Sequence, residues 1–421
     1  MKKIAKNYFA KIMLAFAFVL AVSFAHGKDV NAATVSVSQV SASDTSAKIQ
    51  WNTVSGAAGY KITLYNSSKT VAVKTETESA SYTYEYFSGL TSGTSYIAKV
   101  EAYSTKVNYS TYTGLLGSAE IEVVTAPSLS SGTNYNVSSI ASGKTTLSYS
   151  AVSGANRYRA EYYSTSDTSN KLSAYSDSDS LTVSDLTTNQ EYSCRVYAQR
   201  VSSTGFVAES SYSMSLNTDK VTNSYICGLP SLQGSLDYTF YSASKKINLG
   251  MTENTVTANG YEFKLYDGNK KIKSFSESSR YGKTFSSKYA SKNKVYKAVV
   301  RAYTYDSTGK KYYTKAKTFY CSKNCDVTKV TSKSKKITAK WTKISGADRY
   351  VVYAVKGNKN GSYKKVATVK GSKSSVTFSK LGKSKLTKGK TYYIYVMAQK
   401  KVNGKYVNVS DDYYCYKVKV K

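Results

Sequence analysis

One histidine, two prolines and two tryptophans are all that this chain of 421 residues holds of those types, and its 26 acidic residues face 60 lysines and arginines. The histidine, His26, lies in an N-terminal stretch that reads as a segment removed on export. Without it the remaining chain has no imidazole for acid–base work or metal ligation near neutral pH. Gly-rich phosphate loops and Gly-x-Ser-x-Gly elbows are also missing, so two further routes to catalysis have no support. Asp177 and Asp179, in YSDSDSLTV, lack the Gly and the bidentate Glu of a calcium loop and read as a solvated turn. The expectation is a non-enzymatic protein with no cofactor and no metal. No Leu-Pro-x-Thr-Gly sorting motif occurs near the C-terminus and no Cys sits beside the cleavage region, so neither common covalent anchor is expected.

Long apolar runs are nearly absent as well. The exception follows the basic MKKIAKNYFAK: an apolar stretch over residues 12–25, then Val30-Asn31-Ala32, whose small residues suit cleavage. This is the pattern of a signal peptide over residues 1–32, and the apolar stretch is shorter than the roughly twenty residues of a membrane helix. The expectation is an exported chain with no transmembrane segment after cleavage.

What the chain does have is tyrosine, 42 of them, with 25 glycines and long Ser/Thr-rich stretches. That composition favours strands joined by polar turns. Three decapeptides share a frame: WNTVSGAAGY at 51–60, YSAVSGANRY at 149–158 and WTKISGADRY at 341–350. Ahead of each, apolar residues alternate, as in Ala47, Ile49, Trp51 and Ile337, Ala339, Trp341. Period two means a strand with one buried face, so each decapeptide reads as a strand, a turn and the entry to a second strand.

A second repeat runs LTSGTSYIAKVEA at 90–102, LTTNQEYSCRVYA at 186–198 and LTKGKTYYIYVMA at 386–398, with a divergent copy, ASKNKVYKAVVRA, at 290–302. Its tyrosines, Tyr96, Tyr192, Tyr296 and Tyr392, are 96, 104 and 96 residues apart. Near-equal spacing predicts four similar units.

These residues resemble the fibronectin type III family. The resemblance implies a core Trp on the second strand, a Tyr on the third, and a Leu-x-x-x-x-x-Tyr corner before the sixth whose hydroxyl bonds back to the backbone. Trp51, Tyr60, Leu90 and Tyr96 match, as do Trp341, Tyr350, Leu386 and Tyr392; the second unit has Tyr149 for Trp with Tyr158 and Tyr192 in place, and the third offers Met251 at the ring position. The expected fold is all-β, four tandem fibronectin type III-like (immunoglobulin-like) sandwiches after the signal peptide: 33–126, 127–221, a divergent basic unit over 222–325, and a strongly basic unit over 326–421. The rings Trp51, Tyr60, Tyr96, Tyr149, Tyr158, Tyr192, Tyr296, Trp341, Tyr350 and Tyr392 are read as core.

Five cysteines in an exported chain invite pairing. Cys194, two residues after Tyr192, reads as a buried thiol. Cys227 with Cys321 and Cys325 with Cys415 have nearly equal separations of 94 and 90 residues and stand at the starts and ends of the last two units. Two staples are expected, with Cys321–Cys325 pairing, or thiols throughout, as the alternatives.

Charge is unevenly spread. Lysine plus arginine number 6 against 7 acids over residues 34–126 and 7 against 8 over 127–220, but 18 against 6 over 221–325 and 24 against 4 over 326–421. Such asymmetry points to an anionic partner for the C-terminal half. No nucleic-acid motif is present, so the expected polyanions are those an exported bacterial protein meets: teichoic acids and other anionic wall polymers, or host mucins. Lysine-rich KLGKSKLTKGK at 380–390 suits diffuse, salt-sensitive attraction more than bidentate reading. A lysine coat that only maintains solubility is the bland alternative.

End loops are where sandwiches usually bind, and STKVNYSTYTG at 104–114 offers Tyr109 and Tyr112 for a protein or glycan ligand; cross-strand ring pairing explains the same residues. Arg-Gly-Asp occurs nowhere. Three functions are therefore weighed: a secreted adhesion or display protein of a Gram-positive bacterium, a released irisin-like polypeptide acting on host receptors, and a glycan-binding accessory module.

Overall fold

The computed structural model describes residues 33–219, 224–410 and 414–421. The expected signal peptide, its cleavage site and His26 lie outside the described residues. No α-helix occurs among those described, and none of their segments is a helix long and apolar enough to cross a membrane. The described residues divide into two compact units, one of 33–186, 191–219, 224–226 and 306–309, the other of 187–190, 227–305, 310–410 and 414–421.

In the first unit, strands Val37–Ala42, Ser46–Trp51 and Tyr84–Ser88 form a three-stranded sheet, and Ala72–Ser79, Gly59–Asn66, Ser95–Lys106 and Tyr112–Val124 a four-stranded one. All neighbours in both are antiparallel. Alternation then fills the space between the sheets: Ala47, Ile49 and Trp51 from one meet Tyr60, Ile62, Leu64, Tyr96, Ala98 and Val100 from the other in one buried cluster. The same arrangement returns with Asn134–Ala141, Lys144–Ser148 and Ser180–Val183 opposite Asp167–Ser176, Arg157–Ser164, Tyr192–Val201 and Val207–Glu209. Its final strand is broken. Met214 bridges Val196, Ser215–Leu216 then crosses to pair in parallel with Asn134–Tyr135, and Ile226 exchanges bonds with Tyr192 at 2.9 and 3.0 Å.

In the second unit, Leu236–Tyr241, Lys246–Met251 and Lys283–Ser286 face a sheet of Lys270–Glu277, Gly260–Asp267, Tyr296–Tyr305, Lys311–Tyr313 and Lys317–Cys321. Val327–Lys333, Lys336–Trp341 and Ser375–Phe378 face Lys364–Lys370, Arg349–Lys356, Thr391–Val402, Lys405–Asn408 and Tyr416–Lys419. Each pair again encloses its own cluster of buried residues. A three-stranded sheet packed on a larger antiparallel one, with alternate residues turned inward, is a β-sandwich. The chain is all-β, built of fibronectin type III-like sandwiches.

The decapeptide now has a physical reason. Val54 carbonyl accepts from Ala57 N–H at 3.2 Å, closing a four-residue turn with Gly56 third at φ +78°. Positive φ at that place is what a type II turn demands, and glycine meets it without a Cβ clash. The Val54 N–H is tied down separately, donating to the Tyr60 hydroxyl at 3.0 Å. The same bond runs from Val152 to Tyr158 at 2.8 Å and from Ile344 to Tyr350 at 2.7 Å. Thus the ring packs in the core and its hydroxyl anchors the turn six residues upstream. Trp51 meets Tyr60 with centroids 5.4 Å apart, Tyr149 meets Tyr158 at 4.6 Å, and Trp341 meets Tyr350 at 5.3 Å.

Divergence in the third sandwich is local. Thr255 N–H donates to Tyr261 at 2.6 Å, so the anchor is kept although Ser-Gly-Ala is gone. The glycine's place is taken by Thr257 at φ +68°, a β-branched residue in left-handed backbone whose buried hydroxyl has no partner among the described residues. Both features are unfavourable. The later tyrosines behave in two ways. Tyr96 accepts from Thr91 N–H at 2.9 Å and Tyr392 from Thr387 N–H at 3.1 Å, whereas Tyr296 donates to the Tyr289 carbonyl at 3.1 Å across a 3₁₀ turn at Lys288–Ser291. Tyr192 is buried in the second sandwich.

Candidate binding surfaces

The two repeated motifs meet each other between successive sandwiches. In the first unit Gly154, in the second decapeptide, lies so close to Gly93 of LTSGTSY that a Cβ on Gly154 would fall 2.5 Å from the Gly93 Cα. Arg200 stitches the same place, donating to Ser95 Oγ at 2.9 and 3.1 Å and to the Gly154 carbonyl at 2.9 Å. In the second unit Ser345 of the last decapeptide exchanges backbone bonds with Asn293 and Val295, both at 2.9 Å. The second and third Ser-Gly-Ala turns are therefore occupied by neighbouring sandwiches and are poor candidates for an external ligand, while the first leaves open space around Gly56.

Loop 104–114 is presented differently at its two rings. Tyr109 is 91% exposed. Tyr112 is half-buried, its ring edge against Gly59, where a Cβ would fall 2.4 Å from it, and its hydroxyl 3.4 Å from the Glu78 carbonyl. Lys106 Nζ lies 5.7 Å from the Tyr109 ring and 5.9 Å from that of Tyr112. Tyr112 serves the sheet, and Tyr109 is left facing solvent. Further exposed rings lie on and just before the third strand of the first three-stranded sheet: Tyr82, Tyr84 and Tyr86 stand on alternate positions, with Lys48 Nζ 4.3 Å from the Tyr84 ring.

The cysteines are placed without crosslinks. Cys194 packs in the second sandwich, and burial pushes its thiol up to about 12. Cys321 is fully buried and Cys325 lies 3.8 Å from the Thr342 carbonyl; burial drives both well above the usual thiol range. Cys227 is buried at the start of the second unit, and Cys415 sits against Tyr363. The 325–415 and 227–321 staples are not formed in this structure, in which the partners just named hold Cys325 and Cys415. Asp177 and Asp179 lie on an exposed turn, and among the described residues no three His, Cys, Asp or Glu side chains converge on a point.

Ion pairing follows the charge imbalance. In the first unit four basic residues pair with acids: Lys99 with Glu101 at 2.7 Å, Arg159 with Glu209 at 2.7 Å and Glu161 at 3.3 Å, Lys171 with Glu161 at 3.1 Å, and Lys69 with Glu120. The third sandwich still pairs Arg301 and Lys264 with Glu262, at 2.6 and 3.0 Å. Beyond Asp326, which Lys323 engages at 2.7 Å, the described residues contain no ion pair, although the lysines there are mostly exposed.

No protein-family profile matches the sequence, and no curated protein matches it. Many solved structures resemble it, two fibronectin type III segments among them. The FN1–FN3 domains of chicken CNTN1 align with 68% of this chain and 98% of that one at 14% identity, with a TM-score of 0.26. A two-domain fibronectin type III segment of chicken tenascin covers 42% of this chain and 95% of that one at 18% identity, with a TM-score of 0.22. Strand order and core placement, rather than these superpositions, define the fold.

Proposed function

We propose that this chain is an exported, non-enzymatic binding protein of a Gram-positive bacterium, freed of residues 1–32 and folded as four sandwiches over 33–126, 127–221, 222–325 and 326–421. Its basic C-terminal half docks on anionic polymers of the envelope, and its near-neutral N-terminal half presents binding loops, of which 104–114 with Tyr109 is the most exposed. One observation carries this reading: among the described residues beyond Asp326 no lysine is ion-paired, whereas in the N-terminal half Lys69, Lys99, Arg159 and Lys171 pair with acids and the two signs nearly balance. Unpaired, solvated cations attract a polyanion at long range and release its counterions on contact. Lysine rather than arginine dominates there, which fits point-charge attraction to a flexible polymer better than bidentate docking on a fixed site.

The test is the distribution of the native protein between cell wall and medium, followed by a salt wash of the wall. Most of the protein should be wall-bound at low salt and released between roughly 0.1 and 1 M salt, as the screening length shrinks from about 10 to about 3 Å. Free protein in the medium at low salt would reject wall docking and favour the irisin-like alternative, a released polypeptide acting at a receptor.

A further inference from the structure

The last three-stranded sheet carries an arrangement that the fold does not require. Strands Val327–Lys333 and Lys336–Trp341 turn Ile337, Ala339 and Trp341 inward, so Lys336, Thr338 and Lys340 face out. Register places Lys340 directly opposite Lys329, Thr338 opposite Thr331, and Lys336 opposite Lys333. On the other side Thr377 and Ser375 complete the rows beside Thr338 and Lys340, with the Thr338 and Thr377 hydroxyls 2.8 Å apart. The result is a flat face with two lysine pairs and a row of threonines between them. Opposed residues have Cβ atoms about 5 Å apart, and the two lysine pairs, four residues apart along a strand, are separated by roughly 13 Å.

Like charges directly opposite each other across a sheet are destabilising. None of these four lysines makes an ion pair or ring contact among the described residues, and all four are exposed. The second sandwich shows that the fold manages without them: Asn136 faces Ser148, and Ala141 faces Lys144, at the corresponding places. There the threonine row survives alone, with Thr146 and Thr182 hydroxyls 3.0 Å apart.

We propose that this face, centred on Lys329, Lys333, Lys336 and Lys340, is the seat of a linear phosphodiester-linked polyol, the phosphates lying over the lysine pairs and the polyol hydroxyls over Thr331, Thr338 and Thr377. This rests on the wall-docking reading and sharpens it to one face and one polymer chemistry. Charge complementarity selects a polyanion. The face carries no arginine fork for bidentate recognition and no aromatic side chain on which a base or a sugar ring could stack, which disfavours nucleic acid and neutral glycans. Its hydroxyl row matches a ligand that brings hydroxyls between its charges.

The test uses the full exported chain and two probes, poly(glycerol phosphate) and heparin, at low salt. Two variants change the net charge equally: Lys→Gln at 329, 333, 336 and 340, and Lys→Gln at 364, 365, 370 and 373 on and beside the strand Lys364–Lys370. The first variant should lose roughly tenfold in affinity for poly(glycerol phosphate), as expected for four weak solvent-exposed charge contacts, and the second no more than about twofold. Without polymer, the first variant should unfold a few degrees higher than the parent at low salt, because the opposed charges are gone. Equal losses in both variants would overturn the face while leaving docking by the basic half in place. Tighter binding to heparin than to poly(glycerol phosphate) would overturn the polymer class, and a lower unfolding midpoint would mean that the lysines serve the fold. Failure of the parent chain to bind either probe would sink the wall-docking reading itself.

Discussion

Between pH 8 and pH 10 the reduced protein loses about 2 kcal/mol of stability for each fully buried thiol. An unfolded thiol ionises near 8.5, and each pH unit between the unfolded and folded values is worth about 1.4 kcal/mol. Burial pushes Cys194 up to about 12, so the folded chain keeps its proton while the unfolded chain gives it up. The folded value is raised, so this contribution is complete below about 8.5 and drains away as pH climbs toward the folded value. Cys321 and Cys325 act in the same direction, both through burial. The second unit, with two such thiols against Cys194 in the first, should accordingly lose more through thiol ionisation. Urea midpoints at pH 8, 9 and 10, with and without reductant, check this. They also address the staples expected from sequence: a Cys227–Cys321 and a Cys325–Cys415 crosslink would remove the alkaline loss from the second unit in the oxidised protein and restore it on reduction. Stability that stays flat to pH 10 in the reduced protein would contradict the burial of these thiols.

The turn anchored by tyrosine yields paired effects of opposite sign. Tyr350→Phe keeps the buried ring and strips the acceptor from the Ile344 N–H, itself buried, so the loss should be about 1–3 kcal/mol, the penalty of an unsatisfied backbone donor. Thr257→Gly should move the other way. It places the residue that tolerates φ +68° in the third sandwich and removes a buried hydroxyl without a partner, for a gain of about 1–3 kcal/mol. Chemical denaturation of the two single variants measures both. A neutral Tyr350→Phe would show that the hydroxyl is dispensable and the motif is held by ring packing alone.

Much of this architecture was legible in the sequence because aromatic rings at fixed intervals are hard to place anywhere but a core. Tyr60, Tyr158 and Tyr350 stood out through the decapeptide, yet Tyr261 did not. Its turn reads Thr-Val-Thr-Ala, and one residue more separates it from Met251 than separates ring from ring in the other three sandwiches. The spacing that matters is the six residues from the anchored N–H to the hydroxyl, which is kept. The broken final strand of the second sandwich was not legible either: from Ser211 to Asn217 serines alternate with Tyr212, Met214 and Leu216 as one continuous strand would, and nothing in that pattern marks the crossing to Asn134–Tyr135 after Met214. Tyr112 looked like a loop residue because nothing local reveals that Gly59, more than fifty positions earlier, leaves space for its ring.

The charge of the C-terminal half could be counted from the sequence, but not its geometry. Along the sequence the run 380–390 stands out, where lysines crowd together. The opposed pairs lie elsewhere, and they depend on a register shift between Val327 and Lys329 that decides which residues of the first strand face Lys340 and Lys336. Crowding along a sequence and opposition across a sheet are different quantities, and only the second fixes where cations are forced together.

The most direct test of the account is lysine footprinting of the intact chain. Every lysine is acetylated briefly in the presence and absence of poly(glycerol phosphate) at low salt, and modification is read residue by residue by mass spectrometry. The account predicts several-fold protection at Lys329, Lys333, Lys336 and Lys340, lost as salt is raised, with Lys48, Lys61 and Lys74 of the first sandwich unchanged. Protection that falls first on the first sandwich, or evenly on all lysines, would contradict it.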